Sequence, residues 1–208
     1  MGIQFFIGGT GQGKTTMAEH LCEERSSKRG VPMIILDPEG VLHHRGAEEV
    51  RDVHPSDARI VVPVWDHGSD LVYTPRGEDE DPEGEDAKRL FRMVRQGGKV
   101  GFLVDECAHF AAADSPAIKA MRHLCRAHRL QGVDLYFTTQ APKDIHPRIW
   151  NLRHEVYVFN QEDSGSLDYL QKQLRMTEKE RNRVASLPPY RFLKWEKRSN
   201  ATEGEEEA

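Results

Sequence analysis

"GGTGQGKTT" (residues 8–16) stands between an apolar run, "IQFFI" (3–7), and "MAEHLCEE" (17–24). Gly8, four residues, then Gly13, Lys14 and Thr15 make the G-x-x-x-x-G-K-[ST] phosphate-binding pattern. Glycines let backbone N–H groups turn inward and come close to phosphate oxygens. The helix that follows adds its own unpaired N–H groups and its positive end. The nucleotide-binding set is therefore Gly8, Gly9, Thr10, Gly11, Gln12, Gly13, Lys14, Thr15 and Thr16. Lys14 suits the β- and γ-phosphates, and the Thr15 hydroxyl suits Mg²⁺. The alternative, a glycine-rich turn, lacks the strand before it and the helix after it that residues 3–7 and 14–26 supply.

The chain has 208 residues, enough for one α/β domain with its own core. No apolar stretch approaches the length of a membrane span, and the first residues read as a buried strand rather than a leader peptide. Cys22, Cys107 and Cys125 are scattered and without a C-x-x-C pair, which points to a reduced, cytoplasmic protein and away from a zinc ribbon. The net charge is −5, but its distribution is uneven. "EDEDPEGED" (78–86) holds seven acids and "EGEEEA" (203–208) four; without those eleven, 23 acids face 29 bases, a balance of +6. A basic body with acidic appendages is compatible with a polyanionic partner and equally with an ordinary solvated surface.

Apolar runs and helical patterns alternate along the chain, which implies a mostly parallel sheet flanked by helices. Strands are expected at 3–7, "VPMIILD" (31–37), "RIVVPVW" (59–65), "VGFLVDE" (100–106), "VDLYFTTQ" (133–140), "EVYVFN" (155–160) and, as an edge strand, "YRFLKWE" (190–196). Helices are expected at 14–26, 87–96, 116–129, 164–174 and 177–186, the last opened by Thr177 as its cap. Residues 1–196 form one domain in this reading, interrupted by an acidic mobile loop at 78–86. Residues 197–208 form an acidic disordered tail.

The strand "VGFLVDE" ends in Asp105 and Glu106, at the edge where α/β sheets bind ligands. Asp105 suits a water-mediated hold on Mg²⁺, and Glu106 suits the carboxylate that orients an attacking water. "FTTQ" brings Gln140 to the end of a second buried strand, where an amide can sense a γ-phosphate. The helix over 116–129 carries Arg126 and Arg129 three residues apart and so on one face. A guanidinium lent by a neighbouring subunit would neutralise charge in the transition state. The plain alternatives are two surface acids, a strand-end cap and a solvated basic face.

In order, the chain shows GGTGQGKTT, ILDPEG, FLVDE, RLQGVDLYFTTQAP and an IHPRIWN segment. This resembles the FtsK/HerA superfamily of DNA-pumping ATPases. Asp37, Pro38 and Gly40 match the family's Asp-Pro-x-Gly, and Asp105 with Glu106 match its acidic pair. Arg129, Gly132 and Gln140 match an arginine, two residues and a glycine that open the strand ending in the sensor glutamine. The resemblance covers about residues 1–196 and implies a P-loop NTPase fold of the RecA/ASCE type. ATP and Mg²⁺ would be its cofactors. It further implies a homo-oligomeric ring, a hexamer by family likeness, acting on double-stranded DNA. Among family members the chain looks most like the genome-packaging ATPases of tailless icosahedral, often membrane-containing, viruses. Those would place it in host cytoplasm or on the virion, with a capsid or procapsid vertex protein as partner.

Three other readings stay open on the residues alone. Zot-like phage assembly ATPases share the basic "RAHRLQG" approach to the sensor strand. A nucleoside kinase could use a phosphate loop with "VDECAHF", though the paired cysteines usual in such kinases are missing. A nucleotide-binding assembly protein that does not hydrolyse ATP would have no use for Glu106.

Overall fold

The computed structural model describes residues 2–44, 47–51, 64, 68–76 and 80–196. In chain order the elements are β1 (Ile3–Ile7), α1 (Lys14–Arg29), β2 (Met33–Leu36), β3 (Glu48–Arg51), β4 (Leu71–Thr74), α2 (Glu85–Gly97) and β5 (Gly101–Val104). There follow α3 (Ala108–Ala111), α4 (Ile118–Gln131), β6 (Asp134–Thr139), a 3-10 turn (Pro142–Asp144), α5 (Pro147–Trp150) and β7 (Glu155–Val158). The last elements are α6 (Ser164–Leu174), α7 (Glu178–Ala185) and β8 (Leu193–Glu196). The strands form one eight-stranded sheet in the order β3-β4-β2-β5-β6-β1-β7-β8. Every pairing is parallel except β7 with β8.

Alternation along the strands feeds two cores. Phe5 of β1, Phe102 of β5 and Phe137 of β6 point to one face, where α2, α4, α5, α6 and α7 contribute Leu90, Leu124, Trp150, Leu170 and Val184. Phe6, Leu103 and Tyr136 point to the other, where α1 lays Ala18 and Cys22. The central strands are buried on both faces, which is why they read as unbroken apolar runs. The "IHPRIWN" segment serves the first core. The His146 ring accepts a hydrogen bond from the Arg148 N–H at 3.0 Å, opening the turn that drives Trp150 against Phe5, with ring centroids 5.2 Å apart.

Thr177 caps α7 as expected, in a full capping box with Glu180. β1 spans its apolar run in full, whereas β5 and β6 stop short of Asp105, Glu106 and Gln140, which leave the ladder towards the site, and β8 begins only at Leu193. Two strands, β3 and β4, were not expected. "EEVR" is too charged to read as a strand, and only Val50 of its described side chains is buried; the composition suits the sheet edge it occupies. "LVYT" is a four-residue strand, buried at Leu71, Val72 and Tyr73 and too short to show a period of its own. The strand expected over 59–65 lies outside the described residues except for Val64, which is buried.

The helix expected over 87–96 starts at Glu85, so the acidic stretch ends inside α2. The Asp81 carboxylate accepts the Glu85 and Asp86 N–H groups at 2.9 and 2.8 Å, and the buried Asp86 takes the Arg76 guanidinium in a fork at 2.8 and 2.9 Å. Residues 78–79 and the tail at 197–208 lie outside the described residues. Among those described, no helix is long and apolar enough to cross a membrane. Cys22, Cys107 and Cys125 are free and buried.

The contact of α1 with the sheet depends on one missing methyl group. A Cβ on Gly101 would meet Ser26 Oγ at 2.1 Å and Cys22 Sγ at 2.9 Å. Gly101→Ala should destabilise the fold by about 1–3 kcal/mol, the usual effect of overpacking. Adding Ser26→Ala should recover a large part of it. Urea denaturation of the two single variants and the double variant measures this coupling; strict additivity would show that α1 does not sit on Gly101.

Candidate nucleotide site

The sheet order puts β6 between β5 and β1. All three run parallel, so the loop after β1, the acids after β5 and the end of β6 meet at one edge. Register enforces it, with Ile7 beside Thr139 and Val104 beside Phe137.

The phosphate loop leaves β1 clamped on both sides. The Gly8 N–H donates to Thr139 O at 3.3 Å and the Gly9 N–H to Asn160 O at 2.8 Å. Gly13, the residue before α1, has φ +93°, and the Tyr190 ring occupies the place a Cβ would take. Only glycine meets both conditions. Lys14 is buried and folds back, donating to Gly9 O at 3.2 Å. Thr10, Gly11 and Thr16 are exposed on the rim, with Gly9, Gln12 and Thr15 half-buried below them.

Asp105 and Glu106 leave the ladder differently. Asp105 is buried and accepts two hydroxyls, Thr15 Oγ1 at 2.9 Å and Thr138 Oγ1 at 2.6 Å. Burial pushes its carboxyl above the usual aspartate range, and the Thr138 and Thr15 hydroxyls pull it back. Glu106 has φ +38°, a conformation that costs energy in a side chain of this size. The twist turns its carboxylate to the loop, 3.5 Å from Lys14 Nζ. Gln140 fixes it there: its backbone N–H and its amide Nε2 donate to the two carboxylate oxygens at 3.2 and 3.0 Å. The Gln140 amide oxygen in turn accepts Thr10 Oγ1 at 2.8 Å, which closes a chain of contacts from the acid to the loop. Beside Glu106 and Gln140 opens a cleft of about 580 Å³, lined also by Glu39, His109, Asp114 and Asp144.

Lys14, Thr15, Asp105, Glu106 and Gln140 thus come together, as expected. Arg126 and Arg129 do not join them within one chain. Arg129 ends α4 and meets His154, whose own N–H binds Ile3 O at the start of β1. It therefore lies at the opposite edge of the sheet, about 20 Å from the loop by the rise of a six-residue strand. Both arginines are exposed.

Two residues of the site were not singled out from sequence. Thr138 is fully buried; its hydroxyl donates to Asp105 and accepts the Glu106 N–H at 2.9 Å, so one group orients both acids. Gln161, also buried, donates to Gln140 O at 2.9 Å. The available signal for Thr138 was a pair of hydroxyls in the otherwise apolar "LYFTT". The donor set suits Mg²⁺: a hydroxyl beside a carboxylate, all hard oxygens. Among the described residues no group of three metal-ligating side chains exists. That fits an ion that takes the rest of its shell from phosphate and water.

Residues 6–92 match the family described as Helicase HerA, central domain. No curated protein matches the sequence. Among solved structures, the genome packaging NTPase B204 from Sulfolobus turreted icosahedral virus 2, in complex with sulfate, superposes with a TM-score of 0.73 at 18% identity, over 99% of this chain and 96% of that one. The same protein in complex with AMPPCP gives 0.70 at 16%, over 94% and 92%. VirB4 of Thermoanaerobacter pseudethanolicus gives 0.70 at 12%, over 99% and 89%. At these identities the likeness is one of fold: a P-loop ATPase sheet with the same layering.

Thr138→Val removes a donor from a buried carboxylate and should cost about 1–3 kcal/mol near neutral pH. The sign of the pH effect follows from Asp105. A carboxyl raised on folding loses stability as pH rises through its folded value, and losing a donor raises it further. The deficit should therefore be largest near neutrality and shrink as pH falls and Asp105 takes up its proton. Urea unfolding of wild type and variant at the two pH values tests this. A deficit that grew in acid would contradict the placement of the Thr138 hydroxyl on Asp105.

Proposed function

We propose that the chain is a Mg²⁺-dependent ATPase motor that moves double-stranded DNA, as a homo-oligomeric ring, into a virus capsid. The observation that carries the reading is Glu106, held by Gln140 at the mouth of the phosphate loop and 3.5 Å from Lys14. A protein that only binds nucleotide has no need of an acid held at this point against its backbone preference. The fold likeness to a genome packaging NTPase supports the motor class and the choice of cargo.

In this reading Gly8–Thr16 cradle the phosphates and Lys14 neutralises them. Thr15 and Asp105 would hold Mg²⁺, which supplies a counter-charge to the β- and γ-phosphates. Glu106 orients the attacking water. Gln140, tied to both Glu106 and Thr10, registers whether the γ-phosphate is present. Arg129, too far from its own loop, acts on the loop of the next subunit, with Arg126 one turn away as the alternative. DNA contacts would be to the backbone and tolerant of sequence. Lys88, Arg92 and Arg95 of α2 face Lys119 and His123 of α4 across a cleft of about 480 Å³, a surface suited to phosphates. The charged segments at 66–88 and 107–119 are the places proposed for the pore. A ring of six, a procapsid vertex protein as docking partner and a site of action in host cytoplasm complete the proposal.

Glu106→Gln keeps the shape and loses the charge. It should bind ATP and slow cleavage by about 10²–10⁴, while Lys14→Ala should fail to bind. Equilibrium nucleotide binding and single-turnover hydrolysis, with and without duplex DNA, separate the two. Turnover persisting in Glu106→Gln would remove the role given to Glu106, whereas wild type that binds ATP without turning it over would leave the assembly protein.

Arg129→Ala should leave ATP binding intact and reduce turnover by about 10³–10⁵, with poor rescue by lysine. Mixing inactive Arg129→Ala subunits with inactive Glu106→Gln subunits should restore activity where an intact Glu106 meets an intact Arg129. Normal turnover of Arg129→Ala alone would discard the role.

A further inference from the structure

Tyr190 is out of keeping with its surroundings. It lies between α7 and β8, in "LPPYRF" (187–192), and is 59% exposed. Phe192, two residues on, is buried against Tyr157 and Phe159, with ring centroids 5.4 and 5.5 Å away. Tyr190 also has φ +63°, the left-handed region that a bulky side chain avoids. Burial offers no compensation for this strain. A strained residue that its environment holds in place is a pointer to function.

What holds it is the phosphate loop. The Tyr190 N–H donates to Gln12 O at 3.1 Å. Its ring lies on Gly13, with Cδ1 2.6 Å from the place a glycine Cβ would take. The segment is tied a second time through Asn160, whose side chain donates to Leu187 O at 2.8 Å while its backbone oxygen accepts the Gly9 N–H at 2.8 Å. One edge of the ring thus rests on the loop and the remainder stands free at its rim. In the same turn, the Gln12 amide oxygen is buried without a hydrogen-bond partner among the described residues. A bound molecule could satisfy such a group.

We propose that Tyr190 is the platform on which the base of the bound nucleotide stacks. This rests on the reading of the loop as a nucleoside triphosphate site. With the phosphates seated in residues 8–16, the sugar and base must leave over the rim, and the ring that stands there is aromatic, rigidly held and open on one face. Stacking needs a π-face and no particular hydrogen-bonding edge. The ligand class is therefore a nucleoside triphosphate, with weak discrimination between bases such as adenine and guanine. Gly13 has a second duty in this arrangement, since any side chain there would displace the platform.

The test compares ATP, GTP and inorganic tripolyphosphate binding to the full chain by titration calorimetry with Mg²⁺. Tyr190→Ala should weaken ATP and GTP by about 5- to 150-fold, the loss of one base–aromatic stack, and leave tripolyphosphate unchanged. Tyr190→Phe should bind all three as wild type does. Tyr190→Gly suits the positive φ and guards against misfolding of the alanine variant; it should reproduce the selective loss. Unchanged ATP affinity in Tyr190→Gly would overturn the proposal. So would an equal loss of ATP and tripolyphosphate, which would make the ring a prop for the loop. Wild type binding neither ligand, or Lys14→Ala binding both normally, would instead overturn the triphosphate site itself and the platform with it.

Discussion

Hydrogen bonds on both sides of β6 fix the distance between the phosphate loop and the acidic pair. On one side Phe5 lies beside Phe137, on the other Leu103 beside Tyr136. A strand so placed cannot shift by one residue without turning its whole side-chain set over. Phe137 would then leave the first core, where it meets Phe5 at 5.2 Å, and Tyr136 would leave the second. The aromatic packing of β6 therefore pins the position of its last two residues and of Gln140, which follows them. Thr138 meets Asp105 and Glu106, Thr139 meets Gly8, and Gln140 meets Glu106 and Thr10. The geometry of the site follows from how two cores grip one strand.

What could be read in the sequence follows the same logic. "IQFFIGGTGQGKTT" is legible because strand, loop and helix start agree with one another, and "VGFLVDE" because an unbroken apolar run ends in two acids. Gln140 is legible as a polar residue at the end of another such run. The edge strands are harder to see. β3 has a single described apolar side chain in the core, so no periodicity marks it. Thr138 is not legible as a link, because its meaning lies in the neighbours that parallel pairing brings, Asp105 and Glu106, more than thirty residues away in the chain. Tyr190 looks like the first residue of a final strand. That it is held off the ladder by Gln12 and Gly13 depends on the loop's shape, which no local pattern encodes.

Arg129 shows how topology can limit a residue that sequence alone leaves free. Eleven residues separate it from Gln140, a short interval along the chain. Six of them are spent in β6, which runs straight from one edge of the sheet to the other. An arginine side chain cannot reverse that distance. Within a single chain it stays beside His154 at the far edge. A catalytic part for Arg129 would thus require a neighbouring subunit, which is the geometric ground for the oligomer in the proposed function.

The same economy of charge bears on how the proposed cycle would begin. Lys14 is buried, and its nearest counter-charge is Glu106 at 3.5 Å. A buried ammonium without a partner is costly, so the pair steadies the loop while no phosphate is bound. On the proposed reading, an arriving γ-phosphate offers Lys14 a stronger, multiply charged partner, and Glu106 loses its hold on that side. Gln140 remains on the other side through its two donors, and its amide oxygen remains on Thr10 of the loop. A movement of Thr10 around phosphate would therefore pull on the residue that orients Glu106. The acid would be freed from the lysine and re-aimed by the glutamine in one event, so that it faces water only when there is a phosphate to attack.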